Sequence, residues 1–341
     1  MWDNFADQDS FKHNVTFAEQ YSKEQVQEPM KPTKLRVWGP KRLAKLKDHL
    51  DSINNQIEQP EYIELDPVQF MHLFQRKKDA EIAGFLGAIM AWGRRDIVIA
   101  KGSELMERMN FEPYSFVMNY HAGKSDRLDG FRHRTLKPVD LHGIFLTLQH
   151  IYRTFADFEA FWEDCRREGE CRYHQEMSRG QVSQELVRLP QRSAQFTHMD
   201  RSSLSSWMME VFHDRFVGLH PEFRPRTRKH IANAGTGSTC KRLYMYLRWC
   251  CREKSPVDLG IWSFLKPSEL LIPFDVHVAR ISRRYGLLSR RTNDLKAVQE
   301  LTARLRLLDP EDPVRYDYAL FALGALNAEL PAKFRLNSID R

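Results

Sequence analysis

The sequence has few of the features that mark membrane and secreted proteins. Its longest apolar run, residues 82–92, contains two glycines and is too short for a membrane-spanning helix, which needs about 18 residues. The first residues show no basic patch followed by an apolar core, so we expect no secretory signal. Only five cysteines are present among 341 residues, and an odd number cannot all pair within one chain. We therefore expect a protein of the reducing cytoplasm.

Metal-ligand spacing is also missing from the sequence. Histidine and cysteine never fall at the short paired intervals of a zinc site, so we expect neither a metal nor another cofactor. Hydrophobic residues make up 42% of the chain and charged residues 28%, which is typical of a folded globular protein and excludes global disorder.

Apolar residues recur with helical spacing along most of the chain. In residues 82–90 they fall at i, i+3, i+4, i+7 and i+8, which predicts one face of a buried helix. Residues 141–155 repeat the pattern after a start signal that contains proline and aspartate. Further on, Asp312-Pro313 is typical of an N-cap followed by proline at the first helical position. Convincing strand-like alternation is not found, and we predict an all-α fold.

Composition divides the chain into five segments. Residues 1–30 are polar and aperiodic and are expected to form a flexible extension. Residues 163–205 are rich in Arg, Glu, Gln and Ser, and we interpret them as an insertion or exposed connection. This segment separates two helical lobes, residues 31–162 and 206–330, which we expect to pack together. Residues 331–341 form a tail.

The positive charge is concentrated in one stretch. Residues 221–254 hold nine basic and two acidic residues, so their net charge of +7 equals that of the whole chain. Such a block favours a polyanionic partner, but an ordinary solvated surface explains it equally well.

A Gly-x-Gly turn lies inside this basic stretch. Gly235 and Gly237 lead directly into a predicted helix, where unobstructed glycine amides can hold a phosphate. On that helix Lys241, Arg248 and Arg252 are spaced to share one face. The turn alone is typical of a simple helix cap. With the basic face added, contact with a nucleic-acid backbone is favoured.

A second helix is predicted to begin at Asp275, directly after Pro273 and an apolar run. An N-cap aspartate accepts free backbone N–H groups, which favours its ionised form. An isolated aspartate at such a position is usually a structural cap. The upstream Gly-x-Gly turn and lysine make this one a candidate catalytic carboxylate.

The combination of Gly-x-Gly, a helix with lysine, and Pro-x-Asp-x-His-x-x-Arg resembles the helix-hairpin-helix DNA glycosylase superfamily, of which endonuclease III is the best-known member. Residues 272–288 (IPFDVHVARISRRYGLL) are similar to the segment around its essential aspartate, and residues 81–95 (EIAGFLGAIMAWGRR) to its early helix near the lesion. Residues 81–95 and 237–324 resemble more closely still a bacterial family known only as a domain of unknown function. The superfamily resemblance implies a two-lobed helix-hairpin-helix fold.

The resemblance also implies roles for particular residues. In the endonuclease III type the lysine nucleophile comes two residues after the last hairpin glycine, where this sequence has Thr239. Lys241 lies four residues after Gly237 and 34 residues before Asp275, a wide spacing similar to that of the archaeal 8-oxoguanine DNA glycosylases. By this resemblance Lys241 and Asp275 are the catalytic candidates and an oxidised purine is the substrate. A C-terminal cluster of four cysteines is missing, so no iron–sulfur centre is expected.

These residue types suit the cleavage of a glycosidic bond. Base release leaves positive charge on the sugar, which an ionised Asp275 can stabilise. A neutral Lys241 can attack C1′ and form a Schiff base that permits strand cleavage. Alternatively, Lys241 contacts a phosphate and Asp275 activates a water.

The remaining candidates concern nucleic-acid binding. Trp92 would stack on a base or fill the space that a flipped base leaves, or it would belong to the core. The backbone-contact candidates are Gly235, Gly237, Ser238, Arg242, Arg248, Arg94 and Arg95. The basic and aromatic residues 131–134 form a possible second surface.

We therefore expect a monomeric DNA base-excision repair glycosylase, with or without lyase activity, that acts on lesion-containing duplex DNA. One alternative is a non-catalytic DNA- or RNA-binding module. Another is an intracellular interaction protein in which Asp275 is only a helix cap.

Overall fold

The computed structural model describes residues 39–121, 126–178 and 197–325. Regular structure in these ranges is helical, apart from one isolated bridge between His133 and Leu136, which confirms the predicted all-α class. The α-helices are α1 (Pro40–Ile57), α2 (Gln69–His72), α3 (Lys77–Met90), α4 (Arg95–Arg108), α5 (Pro113–Met118), α6 (Pro138–Thr154), α7 (Phe158–Ser178), α8 (Thr197–Gly218), α9 (Lys241–Cys251), α10 (Val276–Tyr285), α11 (Leu295–Leu305) and α12 (Asp317–Ala325). Among the described helices, none has both the length and the apolar character required to cross a membrane.

Helix α3 forms the centre of the core. The predicted helix at residues 82–90 is confirmed, and it is buried on all sides rather than on one face. Its glycines permit this close packing, since a Cβ atom on Gly84 would lie only 2.5 Å from the side chain of Met71. Helix α9 packs directly against α3, so the core fixes the helix that begins with Lys241.

A buried carboxylate joins α3 to its neighbours. Glu81 is fully buried and accepts hydrogen bonds from the Tyr152 hydroxyl at 2.8 Å and the Trp262 indole N–H at 2.7 Å. The backbone N–H of Phe158 donates to the same carboxylate at 3.2 Å. Burial raises the pKa of Glu81, while these hydrogen bonds oppose the rise. The early helix is therefore tied to α6, to α7 and to the loop that follows α9.

Two predicted helix starts have different outcomes. Helix α6 begins at Pro138, and the side chain of Asp140 accepts from the Lys137 N–H at 3.0 Å, as a start signal should. Pro313, however, opens a 3-10 segment, and the α-helix begins only at Asp317. Asp312 does hold the predicted N-cap position with proline directly after it, but the segment it opens is 3-10 and its carboxylate makes no cap hydrogen bond. That carboxylate instead accepts from the Arg252 guanidinium at 2.9 Å.

Two helices extend into the polar segment 163–205. Helix α7 continues to Ser178 and α8 starts at Thr197, and the two helices pack along each other. The expected extension at residues 1–30 and the tail at residues 331–341 lie outside the described residues. The division into two lobes stays a prediction.

Candidate active site

A cleft of about 600 Å³ opens where three helices begin. Its walls come from the first turns of α9, α10 and α12, together with the loop between α3 and α4. This volume lies within the range of about 300–1,000 Å³ that is common for small-molecule sites. The cleft can therefore accommodate a group of the size of a nucleobase with part of its sugar.

Lys241 and Asp275 meet on the wall of this cleft. The Lys241 Nζ lies 3.1 Å from Asp275 Oδ2, and both side chains remain partly exposed, at 29% and 16%. The other carboxylate oxygen caps α10, because it accepts from the N–H groups of His277 and Val278, each at 2.9 Å. The predicted helix cap at Asp275 is thereby confirmed. The structure brings two candidates that are 34 residues apart in the sequence into direct contact.

The Asp275 carboxylate is held in its charged form. Burial raises its pKa, but the ammonium of Lys241 and the N–H of Val278 outweigh burial and hold the pKa below its ordinary value. The group is therefore an anion at neutral pH, facing a partly desolvated cleft. That is the state needed to stabilise a developing positive charge.

The Gly-x-Gly turn does not lead directly into α9, contrary to the prediction from the sequence. Gly237 adopts a left-handed conformation with φ of 79° and ends a short 3-10 segment. Cys240, with φ of 47°, is the N-cap of α9, so the helix begins only at Lys241. Two left-handed residues, with Ser238 and Thr239 between them, thus redirect the chain between the Gly-x-Gly turn and the start of α9.

The amides of this turn are already engaged. Gly235 N–H donates to the side-chain oxygen of Asn233 at 2.8 Å, and Gly237 N–H donates to the carbonyl of Ala234 at 2.8 Å. Neither glycine amide is therefore free to hold a phosphate in this conformation. Ser238 lines the cleft and keeps its place among the candidates.

The expected cationic face of α9 is corrected as well. Arg248 and Arg252 are each only 3% exposed and lie within a network of buried carboxylates. The partners are Asp258 and Asp317 for Arg248, and Glu58, Asp258 and Asp312 for Arg252. Buried charges are tolerated only when they are paired. Arg248 therefore supports the floor of the cleft and presents no cation to solvent.

Two further predicted backbone contacts also have protein partners. The Arg242 guanidinium lines the cleft but donates to the carbonyl of Ile89, and burial lowers its pKa. Arg94 is exposed outside the cleft, where it pairs with Asp96 at 2.6 Å. The structure thus places Arg242 in the cleft wall and Arg94 outside it.

Several aromatic side chains and Arg95 also line the cleft. The Arg95 guanidinium lies 5.3 Å from the ring centre of Phe321 and 5.4 Å from that of Tyr62. Trp92 is half-buried at the rim, and the Arg134 guanidinium lies 4.4 Å above its ring. A flat ring that entered the cleft would meet aromatic and guanidinium faces, which attract π systems.

Asp317 is the cleft residue that sequence reasoning missed. It is the first residue of α12, lines the cleft, and pairs through Oδ2 with Arg248. Burial raises its pKa to about 7, although the nearby charges of Arg248 and Lys241 oppose the rise. The available signal was the acidic run before α12, but nothing in that run distinguishes this aspartate from its neighbours.

Metal-binding groups and thiols were the other features that we considered among the described residues. Within residues 39–121, 126–178 and 197–325, no group of three or more His, Cys, Asp or Glu side chains could hold a metal ion. The five cysteines are free thiols. Cys250 and Cys251, whose pKa values are raised by burial, lie in α9.

Comparison with known proteins gives one match. The profile of the family described as "Protein of unknown function (DUF2400)" matches residues 66–326, a range that includes Lys241, Asp275 and Asp317. No curated protein and no solved structure matches the chain. Because the matched range covers more than three quarters of the sequence, the chain belongs to this family of proteins of unknown function.

Proposed function

We propose that this protein excises a damaged base from duplex DNA, with Lys241 and Asp275 as its catalytic residues. The observation that carries the proposal is the contact between these two side chains, 3.1 Å apart on the wall of a cleft of about 600 Å³. The proposal includes a fold of the helix-hairpin-helix DNA glycosylase type, nearest to the archaeal 8-oxoguanine branch. The wide spacing between the lysine and the aspartate is what favours an oxidised purine.

Asp275 would act on the charge that develops during base release. As the bond between C1′ and the base nitrogen breaks, positive charge grows on the sugar. A carboxylate already fixed by two N–H groups of α10 needs no rearrangement to stabilise that charge. Its lowered pKa keeps it ionised at the pH of the reaction.

Lys241 would supply the nucleophile. The Nζ–C1′ bond forms as the glycosidic bond breaks, and the bonding pair leaves on the base nitrogen, which takes up a proton. One Nζ proton then moves to the ring oxygen O4′ as the C1′–O4′ bond breaks, which opens the sugar and leaves an iminium ion that keeps one proton on Nζ. Removal of a C2′ proton then expels the 3′ phosphate and breaks the strand.

The attack requires a neutral amine, but Lys241 is paired with Asp275 in the resting structure. Asp317, with a pKa of about 7, lies in the same cleft and is influenced by the charges of both residues. It is the group best suited to take the proton from Nζ and return it to the departing base.

The surroundings of the pair suit a base that has been turned out of the duplex. The aromatic faces of Tyr62 and Phe321 line the cleft, and Trp92 stands at its rim. Val276, directly after Asp275, is 65% exposed although apolar. An exposed apolar residue at such a rim is suited to fill the space that an extruded base leaves behind.

Borohydride trapping tests the assignment of Lys241. The protein is incubated with duplexes that carry 8-oxoguanine, uracil or an abasic site, and borohydride then reduces any Schiff base to a stable adduct. We expect an adduct with the wild type and none with Lys241→Arg, which retains a cation for Asp275 but removes the nucleophile. Lys254→Arg, at an exposed lysine three residues past the end of α9, is the matched control and should form the adduct normally.

Two outcomes would change the proposal. Base release without an adduct, dependent on Asp275, would reject Lys241 as nucleophile and indicate attack by water. Neither adduct nor base release on any duplex would reject the glycosylase function and favour a non-catalytic nucleic-acid-binding module.

A further inference from the structure

Two basic segments that are far apart in the sequence lie together on the surface. Residues 131–137 contain three cations and residues 224–229 contain four, and neither segment contains an acid. The Arg226 guanidinium donates to the carbonyl of Thr135 at 3.3 Å, which joins the segments. Their seven cations are exposed, namely Arg132, Arg134, Lys137, Arg224, Arg226, Arg228 and Lys229. We call this surface the cationic ridge.

The ridge cations make few ion pairs, although the exposed acids Asp129 and Glu222 flank the two segments. Its one ion pair within the described residues joins Arg226 to Asp140 at 3.1 Å, and Asp140 is fully buried. That carboxylate also accepts from Thr227 Oγ1 at 2.8 Å and from the Lys137 N–H at 3.0 Å. The acid therefore fixes the backbone of both segments while the other cations face solvent.

The ridge begins at the rim of the cleft. The Arg134 guanidinium lies 4.4 Å over the ring of Trp92, a cleft residue. Gly93 permits this approach, because a Cβ atom there would lie 2.5 Å from Arg134 Nη1 and its φ of +112° suits glycine. A long molecule with one part bound in the cleft could therefore also contact the cationic ridge.

We propose that the cationic ridge binds the sugar-phosphate backbone of DNA beside the base held in the cleft. Only the identity of the cleft's occupant rests on the proposed function. The charge of the ridge fits a polyanion, and its contact with an aromatic cleft favours a nucleic acid, which carries flat bases next to its phosphates, over an anionic membrane. The amides of the Gly-x-Gly turn are engaged, so the ridge takes over the backbone contacts that the sequence assigned to that turn.

Binding of an undamaged 20-base-pair duplex tests this proposal without any reaction. Fluorescence anisotropy at several salt concentrations gives the slope of log K against log salt, which changes by about 0.9 for each phosphate contact. Replacing two ridge cations, in Arg228→Gln with Lys229→Gln, should make the slope shallower by about 1.8 and weaken binding roughly tenfold at moderate salt. Arg132→Gln, on the other segment, should make it shallower by about 0.9.

A matched control removes two exposed lysines elsewhere. Lys254 lies three residues beyond the C-terminal end of α9, an end that is about 15 Å along the helix axis from Lys241. Lys266 lies near the same end of α9. Its backbone N–H donates to the carboxylate of Glu269, and the charge of Glu269 influences the Cys251 thiol at the last position of the helix. The double variant Lys254→Gln with Lys266→Gln loses the same charge and should bind like the wild type.

Three results would overturn the ridge proposal. The first is that the ridge variant and the control variant have equal salt slopes, and the second is that wild-type binding does not respond to salt. The third is that vesicles containing phosphatidylserine bind in a ridge-dependent way while the duplex does not bind. Failure of borohydride trapping together with ridge-dependent duplex binding would reject the glycosylase but not the ridge. Successful trapping with an unchanged slope would reject only the ridge.

Discussion

The replacement Asp317→Asn should change how the stability of the protein depends on pH. Asp317 is buried at the start of α12 and shares the cleft with Lys241 and Asp275. Burial, together with the negative charges of Asp275 and Asp258, raises its pKa from 3.8 to about 7 despite the opposing charges of Arg248 and Lys241. Asparagine has nearly the same shape but cannot ionise, so it removes the titration and keeps the volume.

Proton linkage gives the sign and size of the change in the free energy of unfolding with pH. Because the folded pKa of about 7 lies above the unfolded value of 3.8, the contribution of Asp317 is fully present below pH 4. It is lost as the pH rises through 7. Each unit of difference in pKa corresponds to about 1.4 kcal/mol. Between pH 5 and pH 8 this group alone should lower the free energy of unfolding by about 2–3 kcal/mol.

Urea denaturation at pH 5, 6, 7 and 8 measures the effect. His133 and His230 have pKa values lowered by burial, which makes stability rise with pH over part of this range. Both histidines are present in the wild type and in the variant, so their effect cancels in the difference. We expect Asp317→Asn to gain about 2–3 kcal/mol relative to the wild type from pH 5 to pH 8. The exposed control Asp129→Asn should follow the wild type, and parallel curves for Asp317→Asn and the wild type would refute the reasoning.

Further predictions concern the core that supports the cleft. Glu81→Gln should lower the free energy of unfolding by about 2–4 kcal/mol, because an amide cannot accept all the hydrogen bonds that the buried carboxylate receives. Urea denaturation measures this loss, and a loss under about 0.5 kcal/mol would contradict the prediction. Gly102→Ala should cost about 1–3 kcal/mol, since its Cβ would lie 2.1 Å from the ring of Phe70. Gly218→Ala, which meets nothing within 4 Å, is the control, and equal melting temperatures for the two alanine variants would rule out the overpacking.

Regular spacing made part of the fold predictable. The helices at residues 82–90 and 141–155 were found because buried apolar side chains must repeat with the period of the helix. The cap at Asp275 was found because proline and aspartate before a helix leave few other conformations. These signals are local, so one stretch of sequence contains all the information that they need.

The charges of α9 were interpreted wrongly because their environment is not local. A row of cations on one helix face predicts either a surface or a buried network. Of the acids that decide between them, Asp258 is near in the sequence, but Glu58, Asp312 and Asp317 are at least 60 residues away. Arg252, for example, pairs with Glu58, 194 residues earlier in the chain. Only the folded structure, which brings these four acids to Arg248 and Arg252, shows which alternative holds.

The sequence identified some residues of the candidate site but not their arrangement. Lys241 and Asp275 became candidates through their residue types and the resemblance to a known superfamily. Their 3.1 Å contact required the fold. Asp317 was missed because its pKa is set by burial and by neighbouring charges, which no local pattern encodes.

We propose that the protein cleaves a glycosidic bond in this cleft. Release of a free base under single-turnover conditions is the measurement that decides this proposal. Duplexes that carry different damaged bases are incubated with excess protein, and the free base is measured by mass spectrometry. We predict release of at least one base by the wild type and a loss of roughly 10²- to 10³-fold or more in rate for Asp275→Asn, with the exposed control Asp129→Asn unchanged. Equal rates for Asp275→Asn and the wild type, or no release by the wild type from any duplex, would contradict it.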